Sequence, residues 1–150
     1  MVANNSMATI SCFEDMEIWQ LARQQANEFF QIYTTGNFAK DFELRNQINS
    51  SSGSVMDNIA EGFERSGNKE FFNFLVIAKG SNGEFRSQLY RCLDRKHVSQ
   101  ERFNELYEKN ITLGNKIMSF ITYLQRSSFK GQRYKDTFSQ NIEPQTSNLK

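Results

Sequence analysis

Few residues in this chain are of the types that do acid–base chemistry. His97 is the single histidine, and it follows Arg91 by six residues near the end of a predicted helix. This spacing is loose enough to arise by chance in any helical protein, so on its own it indicates no reaction. Glu61 could act as a general base, but pairing with a helix terminus or a basic neighbour is the simpler interpretation. We therefore predict a protein that is not an enzyme, with His97 as a solvent-facing loop residue.

Metal and cofactor chemistry also lack their usual residues. A di-iron bundle needs Glu-x-x-His pairs, a zinc site needs a Cys/His cluster, and a phosphate loop needs closely spaced glycines. Cys12 and Cys92 are the two cysteines and stand eighty positions apart, which suits free thiols in a reducing cytosol. No apolar run approaches the roughly 18 residues that a membrane span needs. The sequence predicts no metal, no cofactor, no membrane association and a cytoplasmic location.

Basic residues are concentrated in the second half of the chain. Residues 1–75 carry five Lys/Arg and ten Asp/Glu, whereas residues 76–150 carry thirteen and seven, so charges of −5 and +6 sum to the net +1. Such a half is where an anionic partner is expected to bind, although a mixed, solvated surface produces the same asymmetry. With no base-reading module evident, nucleic-acid binding should be weak, salt-sensitive and tolerant of sequence. The predicted phosphate contacts are Lys79, Arg86, Arg91, Arg95 and Lys96, helped by Arg126, Lys130 and Arg133.

The elements that position these residues are predicted to be helices. A chain of 150 residues with one Pro and eight Gly favours a single all-α domain. Apolar residues at 3–4 spacing predict four helices, between a disordered tail at 1–12 and a mobile tail at 127–150. The predicted helices cover about residues 14–33, 41–63, 69–95 and 99–126. The stripe of the first helix consists of Ile18, Ala22, Ala26, Phe29, Phe30 and Tyr33.

Two of these stripes bear on how the helices pack. Residues 49–54 have weak helix propensity, yet Ile48 and Val55 stay in phase across them, so we predict one continuous helix whose small side chains let neighbours approach closely. The last helix keeps a strict 3-4 spacing, which is typical of a coiled-coil-like bundle. Asn110 lies on that seam, where a lone polar residue can set register or oligomeric state.

The third predicted helix begins after a turn and contains two glycines. In the turn, Gly67 can take a positive φ and Asn68 can cap the new helix. Asn82 falls within the apolar stripe and is expected to be buried or half-buried. Gly80 and Gly83 each cost roughly 1 kcal/mol against Ala, so either the helix bends there or something packs very close. A close helix or subunit contact is our preferred explanation.

Short motifs in the second and third helices carry a family resemblance. They are Asn58-Ile59-Ala60-Glu61-Gly62, Glu70-Phe71, Phe74-Leu75, Ile77-Ala78-Lys79-Gly80-Ser81, Glu84 and Gln88. In these residues the chain resembles the four-helix-bundle proteins first noticed inside intervening sequences of bacterial 23S rRNA genes, a family that includes accessory subunits of diversity-generating retroelements. The resemblance covers about residues 13–126. The chain departs from the family pattern directly after Gln47-Ile48, where relatives often carry basic residues and this chain has Asn49-Ser50.

The resemblance implies a fold, an assembly and a class of partner. Relatives form an antiparallel up-down-up-down four-helix bundle, assemble into a homopentameric ring, have no known catalytic residues and are thought to bind RNA or DNA through basic surface. In the retroelement branch they also bind a reverse transcriptase. By resemblance, this chain is a bacterial, cytoplasmic, ring-forming protein that binds nucleic acid. Its motif residues would be structural, namely Asn58, Ile59, Ala60, Glu61, Gly62, Gly80, Ser81 and Glu84.

Two alternatives stay open. The spacing of Arg91 and His97 is similar to the Arg-x(4–6)-His signature of HEPN ribonucleases, which are also all-helical, but Cys92 stands where an Asn or Asp often follows the arginine. Alternatively, the ring serves as a scaffold for a protein partner such as a reverse transcriptase, and its charges only keep it soluble. The near-neutral net charge favours this second alternative, and the basic end of the third helix disfavours it.

Overall fold

The protein folds into four helices joined by short connections. The computed structural model describes residues 10–140, with side chains as far as residue 127. The helices are α1 (Glu17–Tyr33), α2 (Phe42–Glu64), α3 (Asn68–Asp94) and α4 (Gln100–Gln140), with single 3-10 turns at Phe13–Asp15 and Gly36–Lys40. No strand occurs within the described residues, so the prediction of an all-α, four-helix fold is confirmed.

Neighbouring helices run in opposite directions, as side-chain contacts along the bundle show. Ser54 of α2 lies 2.8 Å from Ser81 of α3, while Ser51, one turn earlier in α2, donates to Gln88, further along α3. An earlier residue of α2 thus contacts a later residue of α3, so the two helices are antiparallel. Contacts between α3 and α4 likewise pair the end of one with the start of the other. This is the up-down arrangement that short connections between packed helices produce.

A layer of buried polar side chains divides the apolar core into two clusters. The first cluster includes Val55, Ile59, Phe71, Leu75, Leu113 and Ile117. The second includes Phe29, Phe38, Leu44, Ile48, Phe85, Leu89 and Leu106. Each helix has at least one buried polar residue that falls in sequence between a member of one cluster and a member of the other. We call the buried residues Gln25, Ser51, Ser52, Asn82 and Asn110 the polar layer.

The weak-propensity stretch of α2 is helical, as its phase predicted. Ser51 and Ser52 are buried at the centre of α2. The single proton of the Ser51 hydroxyl is shared between Gln88 Oε1 at 2.6 Å and the carbonyl of Ile48 at 3.2 Å, and the Ser52 hydroxyl donates to the carbonyl of Asn49. Both hydroxyls are thus satisfied, so burying them is not costly. Close packing against α3 offsets the poor propensity of this stretch.

Several predicted helix ends differ from the structure. The predicted start near residue 14 is a separate 3-10 turn, and α1 itself begins at Glu17 after the extended residue Met16. In the turn between α2 and α3, Ser66 takes the positive φ of 61°, while Gly67 is extended and precedes the first residue of α3. The predictions for Gly67 and Asn68 were therefore wrong. Ser99 caps α4 as expected for a serine N-cap, because its hydroxyl accepts from the backbone N–H of Arg102.

The fourth helix continues past its predicted end. It was expected to stop near residue 126, yet it extends to Gln140. Extending an existing helix adds one hydrogen bond per residue fixed, whereas starting one is costly, and this segment contains no proline to interrupt it. The predicted end of this helix near residue 126 was therefore wrong, while the mobility predicted for residues 127–150 stays a prediction. The predictions for residues 1–9 and 141–150 lie outside the described residues. None of the helices in the described part is long and apolar enough to cross a membrane.

Candidate nucleic-acid-binding surface

The structure separates the five predicted phosphate contacts into two groups. Lys79 and Arg86 lie seven residues apart on one side of α3 and form no ion pair among the residues whose side chains are described. Arg91, Arg95 and Lys96 lie at the end of the bundle where α3 ends and α2 begins. Arg91 donates to the side-chain oxygen of Gln47 at 2.6 Å, so its guanidinium is partly engaged within the chain.

Asp41 is the centre of a charge cluster at this end of the bundle. Its Oδ2 accepts from Arg95 Nη1 and contacts His97 Nε2, each at 2.8 Å, while its Oδ1 accepts from the backbone N–H of Leu44 and caps α2. Hydrogen bonds from Arg95 and then His97 lower the pKa of Asp41 from 3.8 to about 2. The cluster fastens the connection after α3 to the start of α2, and it leaves Arg95 less able to contact a phosphate than the sequence implied.

His97 is not the solvent-facing residue that the sequence predicted. Its side chain is only 9% exposed and its ring stacks on Phe38, with centroids 4.4 Å apart and planes at 5°. Phe38 belongs to the connection between α1 and α2, so a distant segment folds over the histidine. Because Arg91 bonds to Gln47 and His97 bonds to Asp41, the structure does not join the arginine and the histidine of the ribonuclease-like spacing.

A polar cleft lies beside this histidine, between the end of α1, the Gly36–Lys40 turn and the start of α4. Its volume is about 400 Å³. Two cationic residues, two amides and one carboxylate line it together with the histidine ring. These residues, which include Glu28, Gln31, Asn37, Lys96, His97 and Arg102, come from three parts of the chain. Apart from Lys96 and His97, sequence reasoning missed the cleft, because it forms where two connections, α1–α2 and α3–α4, come together beside the ends of α1 and α4.

The family-motif residues act mainly where α2 packs on α3. Asn58 donates to the carbonyl of Ser54, whose hydroxyl lies against Ser81. Gly62 is buried, and a Cβ added there would lie 2.6 Å from Cβ of Phe74, so only glycine fits. Ile59 is fully buried, Ala60 is half-buried, Glu84 accepts from Gln88, and Glu61 pairs with Arg65 at 2.7 Å.

Asn110 forms hydrogen bonds with α1 and α3 inside a single chain. Its Nδ2 donates to Gln25 Oε1 at 2.9 Å and to Asn82 Oδ1 at 2.8 Å, and Gln25 Nε2 also donates to Asn82 Oδ1. Asn110 Oδ1 is buried without a partner among the described residues. An unsatisfied buried oxygen lowers stability, and a role of Asn110 in setting register or oligomeric state stays a prediction. Sequence reasoning missed Gln25, which lies at 3-4 spacing between Ala22 and Phe29.

The two glycines of α3 face away from the rest of the described chain. A Cβ added at Gly80 or Gly83 would meet nothing within 4 Å, so a close contact inside the chain, one of the explanations predicted, is wrong. Val76 and Tyr90 are both 47% exposed and follow the same 3-4 spacing. We call Val76, Gly80, Gly83, Ser87 and Tyr90 the open α3 face. A contact with another subunit stays a prediction.

The model of the family described as "23S rRNA-intervening sequence protein" matches residues 14–119. The chain belongs to this family. The matched region contains the motif residues, all five predicted phosphate contacts and Asn110. The resemblance seen in the motifs is thus confirmed for this family, whereas the relation to retroelement accessory subunits stays a prediction.

A solved structure supports the fold of this 23S rRNA-intervening sequence protein. It is a protein with unknown function of the S23 ribosomal protein family from Bacteroides thetaiotaomicron, with a TM-score of 0.64 and 18% sequence identity. The similarity covers 70% of the present chain and 95% of the other one. At this identity, the likeness shows the fold alone. No curated protein matches the chain.

Proposed function

We propose that this 23S rRNA-intervening sequence protein is a non-catalytic, cytoplasmic homo-oligomer that binds RNA or DNA through phosphate contacts. The observation that carries the proposal is the charge of residues 79–96, which contain five Lys/Arg and two Asp/Glu. Three of these cations, Lys79, Arg86 and Lys96, take part in none of the ion pairs among the described side chains. Their charges are therefore available to phosphates, whereas Arg91 and Arg95 are partly engaged.

The open α3 face supports an assembly of several copies. Glycines with open space at the Cβ position let a neighbouring helix approach closely, and the exposed Val76 and Tyr90 supply apolar area for such a contact. The family resemblance implies a ring of five. Oligomerisation would repeat each modest basic group around the ring, and phosphate affinity rises with the number of charges engaged.

A scaffold for a protein partner is the second candidate. The same open α3 face favours it, because an apolar stripe with small residues suits a partner helix as well as another copy of the chain. A reverse transcriptase is the partner that the retroelement branch of the family implies. A ribonuclease is a weaker third candidate, since Arg91 and His97 are each held by a different residue.

The test combines light scattering with salt titrations of labelled RNA and DNA binding to the full chain. We expect an oligomer whose log affinity falls linearly with log salt. The double variant Lys79→Gln/Arg86→Gln should weaken binding to all sequences and reduce the salt slope by about 1 for each phosphate that a bound chain no longer neutralises. The matched control, Arg23→Gln/Lys69→Gln, removes two exposed charges from elsewhere and should bind as wild type.

The outcomes separate the candidates. An oligomer that binds neither RNA nor DNA at low salt would refute the nucleic-acid function and favour the scaffold. Equal weakening in the double variant and its control would show that general charge, rather than this surface of α3, attracts the strand. Cleavage of the RNA during the titration would refute the non-catalytic part of the proposal, and Arg91→Gln would then test the ribonuclease alternative.

A further inference from the structure

Lys96 occupies a backbone position where glycine is the favoured residue. It has a φ of 60° and directly follows the last turn of α3. The N–H of Lys96 donates to the carbonyl of Leu93, and the N–H of His97 donates to that of Cys92. These two bonds form a Schellman motif, whose left-handed residue is usually glycine because a side chain there is strained. Helix termination alone therefore does not explain a lysine at this position.

Lys96 is one of the residues that line the polar cleft. Lys96 forms no ion pair among the described side chains. Arg102, which also lines the cleft, uses only part of its guanidinium to bind Glu105 at 2.6 Å and Glu28 at 3.5 Å. A guanidinium has five N–H donors, so several remain for a ligand. Cations that converge on a cleft with donors left over are suited to an oxyanion.

The cleft also has room and polar groups for more than a bare anion. Its volume of about 400 Å³ lies within the range of roughly 300–1,000 Å³ that small-molecule sites occupy. The amides of Gln31 and Asn37 are exposed and line it, and amide side chains both donate to and accept from a planar polar ring. A phosphate beside a base matches this combination, and a duplex backbone is too wide to enter.

We propose that the polar cleft binds one phosphorylated nucleotide of a single strand, with its phosphate on Lys96 and Arg102. The inference rests on the proposed nucleic-acid binding and refines it. Glu28 lines the same cleft, and its negative charge weakens phosphate binding. Its carboxylate is paired mainly with Lys109, at 2.7 Å. Strand ends and unpaired nucleotides are the forms of nucleic acid that can enter a pocket of this size.

The experiment uses the full chain and two short single strands labelled at the 3′ end, one with a 5′-phosphate and one with a 5′-hydroxyl. Wild type should prefer the phosphorylated strand. Lys96→Gly should bind it about five- to tenfold more weakly and yet unfold at a higher temperature, because the strained residue has been relieved. Lys96→Gln should show the weaker binding without that gain, and Glu28→Gln should bind more tightly.

Ser66→Gly is the matched control, because Ser66 holds the equivalent left-handed position after α2, with a φ of 61°, and is not among the residues lining the cleft. It should unfold at a higher temperature and bind as wild type. If Lys96→Gln binds both strands as wild type does while Lys79→Gln/Arg86→Gln does not, the cleft proposal is overturned and the proposed function stands. If no strand binds but uridine monophosphate binds to wild type and not to Lys96→Gln, the cleft takes a free nucleotide and the proposed function fails.

Discussion

Replacing Gly62 with alanine tests how closely α2 and α3 pack. A Cβ at this position would lie 2.6 Å from Cβ of Phe74, 3.3 Å from its Cγ and 3.0 Å from Cδ2 of Phe71. The ring of Phe71 can shift by a few tenths of an ångström, but Cβ of Phe74 is fixed to the backbone of α3. The added methyl group therefore forces the two helices apart rather than a side chain aside.

The expected magnitude follows from two opposing effects. Alanine in place of glycine in a helix interior stabilises by about 1 kcal/mol. Overpacking costs about 1–3 kcal/mol, and here we expect the upper end because backbone must move. Gly62→Ala should therefore lower the free energy of unfolding by about 1–2 kcal/mol, even though the substitution favours the helix.

Urea unfolding followed by circular dichroism measures this difference. The matched control is Gly53→Ala in the same helix, where the nearest atom to an added Cβ is Asp57 Oδ2 at 4.0 Å, so helix propensity alone should raise stability. The two variants should differ in opposite directions from wild type, at the same protein concentration. A Gly62→Ala protein as stable as Gly53→Ala would refute the packing of α2 on α3 described above.

Three further predictions concern other helices. Gly114→Ala should destabilise the fold by about 1 kcal/mol in urea unfolding, because an added Cβ would lie 3.1 Å from Nδ2 of Asn82 and disturb the polar layer at a cost of about 1–3 kcal/mol, which outweighs the gain of about 1 kcal/mol in helix propensity. Unchanged or raised stability would contradict this. The contacts that lower the pKa of Asp41 stabilise the folded protein above about pH 4, and this stabilisation disappears as the pH falls from 3.8 to about 2. Asp41→Asn should therefore remove this part of the acid dependence when thermal unfolding is measured as a function of pH. A variant with the wild-type profile would refute this prediction. Gly80→Ala and Gly83→Ala should leave the helical content intact but weaken assembly in light scattering, whereas an unchanged oligomer would exclude the open α3 face as the subunit contact.

The fold was predictable where the spacing of apolar residues decided it. Ile48 and Val55 stayed in phase across the serines of α2, and the observed helix is continuous there. Phase is informative because a buried face must repeat every 3.6 residues, whatever the local propensity. The same reasoning failed in α1, where Phe30 is 55% exposed although it was assigned to the stripe, and Gln25 is buried. A search for hydrophobic residues could not assign Gln25 to the buried stripe, although its amide is satisfied there by Asn82 and Asn110 on other helices.

The candidate site was less predictable, because it depends on connections rather than on stripes. Sequence spacing identified the basic residues of α3, but not that Asp41 holds Arg95 or that Phe38 covers His97. Those contacts join residues more than fifty positions apart, and no local pattern encodes them. The left-handed residue Ser66 was also missed, because the neighbouring Gly67 offered a position of lower strain. Lys96 was missed because no glycine near it marked a turn that needs a positive φ.

Poor helix formers occur at two places in this bundle, and they are offset in different ways. In α2, the buried Ser51 and Ser52 lower helix propensity, and packing against α3 in the same chain compensates. In α3, Gly80 and Gly83 carry a similar cost, yet nothing in the described chain lies close enough to benefit from their missing side chains. The assembly proposed above would offset this cost, because a contact at this face, beside the exposed Val76, would use the space left by the two missing side chains. This argument for the proposed assembly is independent of any charge on the protein's surface.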